Sequence, residues 1–66
     1  MEIQLNGHTR HFPAGGTLTQ LLAEEGLAER RVAVEVNGEI VPRSQHPTHA
    51  LGPGDRIEIV HALGGG

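Results

Sequence analysis

The sequence predicts an α+β fold, a mixed sheet of four to five strands with one main helix packed on one face. Three observations carry this expectation. Large apolar residues recur with period two at 1–5, 32–36 and 56–60, as Met1, Ile3 and Leu5, Val32, Val34 and Val36, and Ile57 and Ile59, the pattern of half-buried strands. Two Asn-Gly pairs, Asn6-Gly7 and Asn37-Gly38, follow the first two of these runs, and Asn-Gly is a strong short-range hairpin signal because both residues accept positive φ. One segment alone changes to helical spacing, with Leu18, Leu21 and Leu22 at i, i+3 and i+4.

The first run places Met1, Ile3 and Leu5 on one face and Glu2 and Gln4 on the other. A two-residue turn at Asn6-Gly7 returns the chain through His8 to Phe12, and sets Arg10 beside Ile3. Only Phe12 is plainly apolar there, so this is an edge strand on which Arg10 lays its stem along the core margin. Residues 13 to 16, Pro-Ala-Gly-Gly, form a loop.

Thr17 opens the helix. Its hydroxyl can cap, and Gln20 three positions later completes a capping box. Gly26 supplies a left-handed stop, and Leu27 can pack back onto Leu22, as in a Schellman ending. So short a helix depends on tertiary packing. Its face of Leu18, Leu21 and Leu22 is expected to cover Ile3, Leu5, Val34, Val36, Ile57 and Ile59. Glu24 and Glu25 read as a solvated face.

Val32, Val34 and Val36 make the third strand, and Glu39 to Val41 the short fourth, which Pro42 ends. Residues 43 to 50 read as irregular. Gly52-Pro53-Gly54-Asp55 is a turn, and Arg56 to His61 the last strand. The order β-β-α-β-β-β, with the last strand returning to lie parallel to the first, describes a β-grasp.

Composition narrows the function. At 66 residues the chain is a single domain with a small core. It has no cysteine, which removes disulfides, thiolate metal sites and cysteine nucleophiles. Arg supplies all five basic residues, and the net charge of −3, with a single Phe and no Tyr or Trp, argues against a nucleic-acid surface. No apolar run reaches the roughly 20 residues of a membrane span, and no signal peptide is apparent. A cytoplasmic location is expected.

Five histidines invite a metal reading. His8 and His11 fall on opposite strand faces and cannot share an ion. His46 and His49 flank Pro47 in a loop with no third ligand nearby, so no metal site is expected. Ser44, Thr17, Thr19 and Asp55 form no nucleophile constellation, and the chain leaves little room for a pocket and oxyanion hole. It is not expected to be an enzyme.

The remaining feature is the ending, Gly64-Gly65-Gly66. With no Cβ, such a stalk can thread a narrow channel. A terminal carboxylate presented on it can attack the α-phosphate of ATP and become an acyl-adenylate.

At this point the chain resembles the ubiquitin-like sulfur carriers, and among them the thiamine-biosynthesis branch. The resemblance runs the whole length. It is carried by Ile3 to Gly7, by Gly16-Thr17-Leu18 with Leu21-Leu22, by Val34 to Arg43, and by Gly54 to His61 ahead of the glycines. The family often has an aromatic residue shortly after the Pro-Arg, where this chain has Gln45-His46.

The resemblance implies one ubiquitin-like sulfur carrier domain over residues 1–66, with a flexible Gly-rich tail at about 62–66. It implies no bound cofactor. ATP is used by a partner, an adenylating enzyme of the ThiF type related to ubiquitin-activating enzymes, which acts on Gly66 beside Gly65. A persulfide sulfur donor then yields a thiocarboxylate, and a thiazole synthase of the ThiG type accepts the sulfur. The molybdopterin synthase small subunit, and carriers for protein tagging or tRNA thiolation, share fold and tail and stay open. Because the tail is fed into active sites from a docked body, Val60, Ala62, Leu63 and Gly64, with Ala33 on a neighbouring strand, are expected to form the dock.

Overall fold

A computed structural model describes residues 1–61. The elements are β1 (Glu2–Leu5), β2 (His8–His11), α1 (Leu18–Glu24), β3 (Val32–Val36), β4 (Glu39–Val41), a 3₁₀ turn (Arg43–Gln45) and β5 (Arg56–His61). The sheet has five strands in the order β2-β1-β5-β3-β4. β5 is central, parallel to β1 and antiparallel to β3. The expected order and the expected return of the last strand are both observed.

Each hairpin turns where φ becomes positive. Asn6 and Gly7 stand at +49° and +83°, Asn37 and Gly38 at +52° and +87°. Both turns therefore have two consecutive left-handed residues, the geometry whose twist matches paired strands. The first sets Ile3 opposite Arg10, as the two-residue loop requires. β2 stops at His11, one residue earlier than the sequence suggests, and Phe12 leaves the strand to enter the core.

The capping box at α1 forms in full. The Gln20 amide donates to Thr17 Oγ1 at 3.3 Å, and the Thr17 amide to Gln20 Oε1 at 2.8 Å. At the other end the Leu27 amide donates to the Leu22 carbonyl and Gly26, at φ +74°, to Ala23. That pair of bonds is the Schellman motif. Glu25 is not simply solvated: it pairs with Arg10 at 2.7 Å and ties the helix end to the edge strand. The carboxylate beside it raises the Arg10 pKa further, through the hydrogen bond first and its charge second.

The core holds the nine residues anticipated from periodicity, joined by Phe12, Val41 and Leu51. Residues 43 to 50 are less irregular than expected. After the 3₁₀ turn, His46 is buried, 5% exposed, and donates from Nε2 to the Val41 carbonyl at 3.0 Å. Leu51 is drawn in by its amide bond to the Gly16 carbonyl, next to a bridge between Thr17 and Ala50. No described helix is long and apolar enough to cross a membrane.

Candidate docking surface

With α1 covering one face of the sheet, the other face is left open. Strand alternation decides what stands on it. In β5, Ile57 and Ile59 are buried, so Arg56, Glu58 and Val60 take the open side. In β3, Val34 and Val36 are buried, so Ala33 and Glu35 share that side; in β4 the buried Val41 puts Ile40 there. The register sets Val60 directly opposite Ala33, and Glu35 between Glu58 on one flank and Ile40 on the other.

Apolar side chains thus stand on three strands of the open face, Val60 opposite Ala33 and Ile40 opposite Glu35. Val60 is 56% and Ile40 62% exposed, and they are the large hydrophobic side chains left exposed among the described residues. Ala33, half-buried, lies in the row between their strands. Two of the anticipated docking residues, Val60 and Ala33, are thus brought together. Ile40 was missed, although its alternation with Val41 in a three-residue strand carried the signal. The anticipated Ala62, Leu63, Gly64, Gly65 and Gly66 lie outside the described residues.

Beside the patch, Glu35 and Glu58 are direct cross-strand neighbours. Like charges in that relation disfavour the sheet by a few tenths to about 1 kcal/mol. Arg56, on the same side of β5 as Glu58, lines one concavity with both carboxylates.

The histidines are dispersed. His8 and His11 sit exposed on the edge strand, His61 ends β5, and His46 is committed to Val41. His49 serves through its backbone, accepting from the Leu18 amide. Among the described residues no three His, Cys, Asp or Glu side chains gather into a metal-binding group.

Comparison with known proteins places the chain. Its full 66 residues are 47% identical to part of a thiazole synthase of Paramagnetospirillum magneticum, of whose length they span 20%. They are 32% identical to the sulfur carrier protein ThiS of Escherichia coli, with both chains covered completely. A crystal structure of a thiamine biosynthesis protein (ThiS) from Geobacter metallireducens superposes over the whole of both chains with a TM-score of 0.86 at 29% identity. The ThiS family model matches residues 3–66. On the five-stranded sheet with its single covering helix, and on this match over nearly every residue, the chain belongs to the ThiS family.

Proposed function

We infer that the chain is a sulfur carrier in thiamine (thiazole) biosynthesis, and that it is a co-substrate of partner enzymes and not itself an enzyme. The observation that carries the reading is where β5 ends. It runs up the centre of the sheet and finishes at His61, one residue beyond the exposed Val60. The next five residues in the sequence are Ala-Leu-Gly-Gly-Gly. A partner that grips the open face therefore holds the root of the glycine stalk.

The chemistry follows from the end group. A carboxylate of Gly66 attacks the α-phosphorus of ATP on an adenylating enzyme, and pyrophosphate leaves. The terminal sulfur of a persulfide displaces AMP from the carbonyl. A thiol then attacks the donor's sulfur of the S–S bond, forming a disulfide with the donor, and the thiocarboxylate leaves. That group is ionised and soft, and sulfur stays bound to protein until the acceptor takes it. Thiazole synthase is the acceptor this reading names. Support comes from a relative bearing that name, within which a segment resembles this whole chain.

Docking needs no pocket on the carrier, since the partner supplies the cleft. An apolar patch rimmed by Glu35 and Glu58 suits a partner surface of apolar side chains flanked by Arg or Lys. The test is the intact mass of the chain after incubation with ATP, an adenylating enzyme, a persulfide donor and a thiol. The carrier reading expects one oxygen replaced by sulfur, and no replacement when Gly66 is deleted. A variant extended beyond Gly66 by a bulky residue that still gained sulfur at full rate, without processing, would refute the assignment of Gly66.

A further inference from the structure

On the opposite side of the molecule from the docking patch, a groove of about 220 Å³ runs between α1, the segment leading into β3, and the 3₁₀ turn. Leu22, Ala28, Val32 and Pro47 give it apolar walls, and Arg30 and Arg43 both line it. These guanidinium groups are not consumed by the fold. Arg10 is paired with Glu25, whereas Arg30 and Arg43 have no ion pair among the described residues. Two cations of a chain that is acidic overall are thus set around one concavity with apolar sides.

The groove also has a fixed wall. His46 lines it while buried, its Nε2 proton held by the Val41 carbonyl. The capping box and the Schellman bonds fix both ends of the helix that carries Leu22. Only the arginine side chains must be ordered on binding, which limits the entropic cost.

We propose that this groove binds a small organic anion, a carboxylate or phosphate monoester with a compact apolar body. Arginine presents planar forked donors that match both anions, while the apolar body covers Leu22 and Val32. The volume is below the roughly 300–1,000 Å³ of pockets that enclose drug-sized ligands, so the ligand is small. Because groove and patch lie on opposite sides of the sheet, the anion and a docked partner can be held together. The proposal goes beyond the carrier reading, and neither depends on the other.

The test is an amide-detected NMR titration of the full chain at low salt with phenyl phosphate, benzoate and inorganic phosphate. Phenyl phosphate or benzoate should give saturable shifts at Leu22, Ala28, Val32 and His46, with a Kd of about 1 mM or tighter. Whichever of the two binds more tightly tells phosphate from carboxylate. Inorganic phosphate, which lacks the apolar body, should bind about tenfold more weakly. Arg30→Gln and Arg43→Gln each remove one exposed charge and should keep the spectrum of the folded chain. Each should weaken binding about tenfold. The proposal is overturned if no probe gives saturable shifts, if the shifts map to the open face, or if both variants bind as the parent does. Equal binding of inorganic phosphate and phenyl phosphate would also sink it, by showing unspecific anion attraction.

Discussion

Asn6 Oδ1 accepts a hydrogen bond from the Ile59 amide at 2.8 Å, across 53 residues of sequence. The Asn6 amide meanwhile donates to the Ile57 carbonyl at 2.9 Å. The residue that turns the first hairpin therefore also completes the parallel pairing of β1 with β5, using its side chain where the strand backbone has already turned away. Asn37, at the matching place in the second hairpin, does likewise. Its Oδ1 accepts from the Arg56 amide at 3.0 Å and its Nδ2 donates to Asp55 Oδ1. Both turns are thereby fastened to β5, the strand that ends beside the docking patch.

A first prediction separates these two roles of Asn6. Asn6→Gly keeps the left-handed turn but removes the acceptor, leaving the part-buried Ile59 amide unpaired. It should cost about 1–3 kcal/mol in urea unfolding. Asn6→Asp keeps an acceptor oxygen and should stay within about 1 kcal/mol of the parent. Equal stability of the glycine variant and the parent would show that the bond contributes nothing.

The turns themselves were legible because Asn-Gly is a local signal, and so were the capping box, the leucine stripe and the strand alternation. The second role of Asn6 was not, because its partner is 53 residues away and no local pattern points there. Leu51 and Val41 are single apolar residues in short or irregular segments, and only the completed sheet and the Gly16 carbonyl give them a place inside. His46 follows the same logic: a histidine in a Pro-containing loop has no fixed place until Val41 supplies a carbonyl. Glu25 read as solvent-facing because Arg10 lies on a different element. On the candidate site, alternation in β5 was enough to place Val60 on the open face, and Ile40 needed only the same argument in β4.

The core makes a second prediction. Leu21 is 1% exposed beneath the centre of the sheet. Leu21→Ala should cost about 2–5 kcal/mol, a large part of the stability of so small a domain. Chemical denaturation measures it, and a loss below about 0.5 kcal/mol would show that the site collapses without leaving a cavity.

Gly16 supplies a third. Its φ is not in the left-handed region, yet a Cβ added there would overlap the ring of buried Phe12, meeting Cζ at 2.9 Å and the neighbouring Cε2 more closely still. The Pro13 carbonyl, at 3.1 Å, blocks escape on the other side. Gly16→Ala should therefore destabilise by about 1–3 kcal/mol through overpacking. The double variant Gly16→Ala, Phe12→Leu should recover part of that loss. If the single substitution raises the melting temperature, the ring is freer than its burial indicates.

The last prediction concerns the open face. Val60, Ala33 and Ile40 stand on one open face, and β5 ends beside Val60 at His61. On the carrier cycle proposed above, an adenylating enzyme and a thiazole synthase would each draw the same stalk into an active site, which sets both against the same side of the body. Their binding to one carrier should be mutually exclusive. Val60→Asp puts a charge at the β5 end of the patch, opposite Ala33. It should weaken both complexes at least tenfold, an effect of about 1.4 kcal/mol or more. Because Val60 is already in water, the melting temperature should hardly move. Ile40→Asp, further from the end of β5, should weaken the two complexes unequally if the partners approach at different angles, while Glu24→Gln on α1, which covers the opposite face of the sheet, should weaken neither. Sedimentation of the carrier with both enzymes decides the matter. Two separate binary complexes are expected, and a ternary species with a single carrier bridging both enzymes would show that the partners use different faces.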